Sequence, residues 1–138
     1  MERATEDDDR LRTRPSERFA GSEHLFDLNA EAEKLLRERG GARNGHRQIT
    51  LFRRGGITLV LFVFEEDGYL VDHQADGYVT VQVITGEIRM TTDRGDHAMP
   101  QGSLLLLEPG IRHDVRAVTA SRMLLTVRLD PAEDTRQS

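Results

Sequence analysis

Any chemistry in this chain must come from imidazoles, carboxylates, hydroxyls, guanidiniums or the amine of its single lysine, Lys34, because its 138 residues include five histidines and no cysteine. Thiolate nucleophiles, thiolate metal sites and disulfides are thereby excluded. The histidines are His24, His46, His73, His97 and His113. Neutral imidazole ligates divalent Fe, Mn, Ni or Zn, and it exchanges protons near neutral pH. His73 stands between Asp72 and Asp76, either of which can orient an imidazole. His113 follows an apolar run, Leu104 to Leu107, and a Pro109-Gly110 turn, so it opens a strand. His46 precedes the first strong strand and could reach the mouth of a barrel. His97 follows the Asp93 to Asp96 turn and reads as surface, and His24 belongs to an N-terminal arm.

Other reactive residue types lack context. Ser22, Ser103 and Ser121 sit in no nucleophile elbow. Arg53-Arg54 and the pair Arg112 and Arg116, separated by Asp114, read as solvated strand edges rather than an anion site. Asp7-Asp8-Asp9 lacks the glycine and terminal glutamate of a calcium loop.

The elements that must position the histidines are mostly strands. The length suits one domain with a core of its own. A net charge of -5 argues against nucleic acid as the main partner. The apolar run Ile57 to Phe64 is too short to cross a bilayer, and no membrane association is expected. Met1 is followed by Glu2, Arg3 and an aspartate run rather than a basic and apolar leader, so the expected compartment is the cytoplasm.

Four segments are expected: a flexible charged tail over 1–22, an arm with a short helix over 23–45, a barrel over 46–130 and a tail over 131–138. The tails hold too little apolar surface to offset the entropy of ordering. In the arm, Asn29 is the expected N-cap, with Glu31 and Glu33 in the first turn, Arg37 and Arg39 in the last, and Gly40-Gly41 as the stop. Leu28, Ala32, Leu35 and Leu36 form its apolar stripe.

From Gln48 onward, about nine short apolar segments alternate with turn residues at intervals of roughly ten, which indicates an all-β sandwich or barrel. Tyr78 to Ile84 alternates cleanly, placing Val79, Val81 and Val83 inward and Gln82 outward. Ile57 to Phe64 and Leu104 to Leu107 are apolar on both faces. One face lines the interior and the other needs a cover that the short helix supplies only in part. A homodimer formed sheet on sheet is therefore expected.

Two stretches resemble the motifs of the cupin family, the double-stranded jelly-roll barrels. Gly102, five residues, Glu108-Pro109-Gly110, two residues and His113 match the second motif in spacing. Glu108 stands where that pattern has proline, and Ala117 where it often has asparagine. The first motif is degraded. Counted back from Gly86, its first histidine position holds His73, its second holds Ala75, and its glutamate position holds Val79; Gly68 is one residue too close to His73. The resemblance spans about residues 45 to 130 and implies an all-β cupin-like jelly roll. It also implies His73 and His113 as metal ligands from a set that is otherwise missing. The expected function is small-molecule binding in the barrel, with a weakly held divalent metal (Fe, Mn, Ni or Zn) as a possible companion. The alternatives are a metal-dependent dioxygenase or isomerase, and a non-catalytic dimeric interaction protein.

Overall fold

The computed structural model describes residues 21–129, with the side chains of Asp72 and His73 excepted. Of the expected tails, residues 1–20 and all of 131–138 lie outside the described residues. A helix, α1 (Leu28–Leu36), precedes nine strands: β1 (His46–Arg54), β2 (Ile57–Phe64), β3 (Tyr69–His73), β4 (Tyr78–Thr85), β5 (Glu87–Thr92), β6 (Gly95–Pro100), β7 (Leu104–Leu107), β8 (His113–Ala117) and β9 (Ser121–Arg128). They form a five-stranded sheet ordered β1-β2-β9-β4-β7 and a four-stranded sheet ordered β3-β8-β5-β6, every pairing antiparallel. This is the all-β arrangement expected from the strand spacing and the jelly roll that the cupin resemblance implies.

Alternation decides what lies between the sheets. Val60, Phe62 and Phe64 of β2, Val79, Val81 and Val83 of β4, Ile88 and Met90 of β5, Val115 and Ala117 of β8 and Met123 of β9 join one buried cluster. Gln82 is exposed, as the alternation of β4 requires. The hairpin from β1 to β2 closes through Gly55-Gly56 between the paired Arg54 and Ile57, with φ of 64° and 81°. Two consecutive positive φ values make the two-residue turn whose twist matches antiparallel strands.

The helix packs on the outside of the five-stranded sheet. Ala32 and Leu35 bury against Leu61 and Val63, the outward residues of β2. Asp27, not Asn29, caps it, its side chain accepting from the Ala30 amide at 3.0 Å. Asn29 is instead engaged by Arg122 of β9, whose guanidinium donates to Asn29 at 3.3 Å and pairs with Glu33 at 2.8 Å. The helix ends at Leu36, so Arg37 is its C-cap and Arg39 falls outside it, while Leu36 itself is 54% exposed. The apolar stripe is therefore narrower than four residues. An exposed ion pair such as Arg122–Glu33 contributes less than about 1 kcal/mol, whereas truncating a buried leucine to alanine costs about 2–5 kcal/mol. Leu35 thus holds the helix, and Arg122 sets its orientation.

The barrel end that starts β3 rests on a close backbone approach. The Gly68 amide donates to Glu65 O at 2.8 Å, the Glu65 amide to Gly45 O at 2.8 Å, and the Tyr69 amide to Asn44 O at 2.9 Å. A Cβ on Gly68 would overlap the Gly45 carbonyl. Gly68→Ala is expected to cost about 2–3 kcal/mol through overpacking, whereas Gly55→Asn, with open space around it, should be neutral. Thermal unfolding of the two variants beside the wild type checks this; equal melting temperatures would refute the close approach.

Candidate functional site

The inner face of the barrel is closed at one end and open at the other. Along β9, Met123 is fully buried, yet Leu125 and Val127, on the same face, are only partly buried. β9 is a central strand, so the exposure of its inward side chains comes from the interior and not from a free edge. In register, Val127 lies opposite the half-buried Thr58 of β2 and the buried Val79 of β4, and Val79 lies opposite the buried Leu107 of β7. Ala75, Leu105 and Ile111 are likewise apolar, packed on the core and partly exposed. On β9 itself, solvent touches Leu125 and Val127 but not Met123, while Val60 and Val81, the neighbours of Leu125 on β2 and β4, are buried.

His113 stands at this open end. It is the first residue of β8, 4% exposed, and faces inward with Val115 and Ala117. Its position is set by the loop ahead of it. The Gly110 amide donates to Ala75 O at 2.9 Å and the Gln74 side-chain amide donates to Gly110 O at 3.2 Å, which ties the segment after β3 to the turn before β8. His113 Nδ1 lies 3.3 Å from Ile111 O. A carbonyl oxygen only accepts, so Nδ1 carries the proton and Nε2 of the neutral ring is the acceptor.

The structure brings His73 and His113 together in register as directly opposed residues of β3 and β8, with Thr92 of β5 opposite His113 on its other side. Strict alternation from the buried Leu70 would have put Asp72 at that position. β3 carries one extra residue between Leu70 and His73, and this bulge moves His73 into the place instead.

The remaining histidines go elsewhere. His46 does not precede the first strand, as the sequence suggested, but opens β1 and lies opposite Phe64, at the closed end. It is buried, with Nδ1 3.0 Å from Tyr69 O and its ring 5.8 Å from Phe62 and 5.5 Å from Phe64. Tyr69 and His73 are the two ends of β3, about 13 Å of extended chain, so His46 cannot share the mouth with His113. His97 is exposed on the edge strand β6, and His24 is exposed with its ring 4.9 Å from Phe52. Ser121 is buried with its hydroxyl donating to Thr119 O at 2.7 Å, a structural role.

The donor set does not fit a complete metal site. Of the four positions implied by the cupin pattern, Ala75 and Val79 offer only carbon. Among the described residues no three or more His, Asp or Glu gather where they could hold an ion. Two imidazoles fill only part of the coordination sphere of a first-row divalent ion. What the mouth does present is an apolar wall (Leu105, Ile111, Leu125, Val127) with Thr58 and a buried imidazole on it. Sequence reasoning missed that wall; extending the alternation of Met123 to Val127 and pairing it with Thr58 and Val79 would have found it. Both His46 and His113 are expected in the Nδ1–H form. Long-range proton–nitrogen NMR spectra at pH 8 check this, and an Nε2–H signal for either would contradict the hydrogen bonds described.

Three comparisons place this geometry among known proteins. A family model described as the AraC-like ligand binding domain matches residues 55–136. Among solved structures, a conserved protein of unknown function from Streptococcus pyogenes is 22% identical, with a TM-score of 0.63, over 78% of this chain and 88% of its own. A cupin superfamily protein from Desulfitobacterium hafniense is 16% identical with a TM-score of 0.61, covering 67% of this chain and 84% of that one. An RmlC-like cupin from Shewanella frigidimarina is 15% identical with a TM-score of 0.60, over 68% and 85% respectively. At these identities the likeness is one of fold, and the fold is the cupin barrel. No curated protein matches the sequence.

Proposed function

The chain belongs to the family of AraC-like ligand binding domains, and we propose that it binds a small molecule in the open end of its barrel, as a sensor or accessory binding protein. The observation that carries this reading is the set of inward apolar side chains on a central strand, Leu125 and Val127, that solvent still reaches beside the buried His113. Small-molecule sites are concave and mostly apolar, with few polar groups that fix orientation. The ligand that suits this mouth is small and largely apolar, with one hydroxyl, amide or acidic group for the imidazole of His113. Leu105, Ile111, Leu125 and Val127 take up the apolar part.

A divalent ion at His73 and His113 would be held by two imidazoles at most and completed by water, so it would exchange readily. The dioxygenase or isomerase reading needs donors at positions where the chain has Ala75 and Val79, and no catalytic step is derived for it.

Titration calorimetry with a panel of small phenols, aromatic carboxylic acids and amides, in the presence of a chelator, tests the proposal. At least one compound should bind, and His113→Phe should weaken it about tenfold or more, the loss of one good hydrogen bond. Binding that appears only after a divalent metal is added, and vanishes in His113→Ala, would put the ligand on a metal instead.

A further inference from the structure

The end of β1 sets an arginine on the inner face of the barrel. β1 pairs with β2 through Thr50 opposite Val60 and Phe52 opposite Leu59, so Leu51 is one residue more than the ladder needs. Unbroken pairing would set Phe52 against the inward Thr58 and Arg53 against the outward Ile57. The bulge reverses both: Phe52 goes to the outer face, and Arg53 lies opposite Thr58. Arg53 thereby ends the row of inward residues nearest the mouth, which runs Arg53, Thr58, Val127, Val79 and Leu107 across the five-stranded sheet. The two adjacent arginines, alike in the sequence, go to opposite faces. Arg54 lies on the outer face, where its guanidinium donates to Gly21 O at 3.2 Å and sits 5.3 Å from the centre of the Phe52 ring. Arg53 is exposed and, among the described residues, has no hydrogen-bond or ion-pair partner.

We propose that Arg53 is the anion-binding residue of the barrel mouth and that the ligand is a small apolar monocarboxylic acid. This rests on the mouth being the ligand site, and it names the class of ligand. Three observations carry it. The first is that two bulges serve one end of the barrel: that in β3 brings His73 opposite His113, and that in β1 turns Arg53 inward. Bulges recur beside binding sites because they re-aim single side chains. The second is the unpaired guanidinium, a planar fork that matches a carboxylate with two parallel hydrogen bonds. The third is the polarity of the sheet. Gln48 and Thr50, the inward residues of β1 ahead of the bulge, are exposed, whereas Leu125 and Val127 on β9 are apolar and partly buried. Arg53 and Val127 stand two strand spacings apart, about 10 Å, a gap that a carboxylate on a short apolar body spans. A neutral ligand would leave the guanidinium without a partner, and a second negative charge would fall on the apolar wall.

Titration calorimetry of the full chain with benzoate, 3-phenylpropanoate and hexanoate, each beside its primary amide and all with a chelator present, tests this. At least one acid should bind the wild type about tenfold or more tightly than its amide, the effect of a hydrogen bond to a charged group. Arg53→Gln should bring that acid down to the affinity of its amide, while the amide binds as before and so reports an intact mouth. Arg53→Lys should keep part of the preference, and Arg54→Gln, on the outer face, all of it. Acids and amides that bind the wild type alike, or a preference that survives Arg53→Gln, overturn the assignment of Arg53 and leave the mouth as the ligand site. No binding by any acid or amide overturns both.

Discussion

The structure depends on one apolar layer between two sheets, and on that layer running out at one end. At the Phe64 end the layer is sealed. Phe62 and Phe64 stack at 5.9 Å, His46 packs on both, and Met123, Val83 and Ala117 are buried to 1% exposure or less. At the opposite end β9 continues with Leu125 and Val127, which are only partly buried. Burying apolar surface drives the closure; stopping it two residues short leaves a concave apolar surface with a polar group at its edge. The proposed binding site in this barrel is thus a consequence of where the core ends.

The polar groups around that layer divide between holding and displaying. His46 is buried with its Nδ1 on Tyr69 O, and a buried ring so satisfied is a structural plug. His113 is equally buried, yet it opens β8 beside the mouth, and the loop contact between Gly110 and Ala75 sets the start of its strand. The same residue type therefore has two roles, decided by which end of a strand it occupies. At Ala75 and Val79 the chain carries carbon side chains where the cupin pattern has an imidazole and a carboxylate, so these positions offer apolar contact and no metal donors.

Much of the fold could be read from the sequence, because the inner face depends on period-two alternation, which local pattern records directly. Tyr78 to Ile84 announced which of its residues face inward. Three features could not be read this way. The N-cap fell on Asp27 because Asn29 is engaged by Arg122, ninety-three residues away, and local spacing carries no record of that contact. His46 was placed before the first strand because a strand that begins with a polar residue has no apolar start signal. The bulge before His73 shifts one register position, and alternation alone would have chosen Asp72. The pairing of His73 with His113 emerged only from motif spacing, whereas the mouth wall needed strand order, which no single strand contains.

The most direct test of the open end is to see where a ligand lands. Backbone NMR spectra of isotope-labelled protein, recorded with a chelator as a small phenol or aromatic acid is added, resolve the two ends of the barrel separately. Shifts should gather on Thr58, Leu105, Ile111, His113, Leu125 and Val127 and leave His46, Phe64 and Tyr69 unmoved. Shifts confined to the outer faces or the closed end, or none with any compound at millimolar concentration, would contradict a binding site in the barrel mouth.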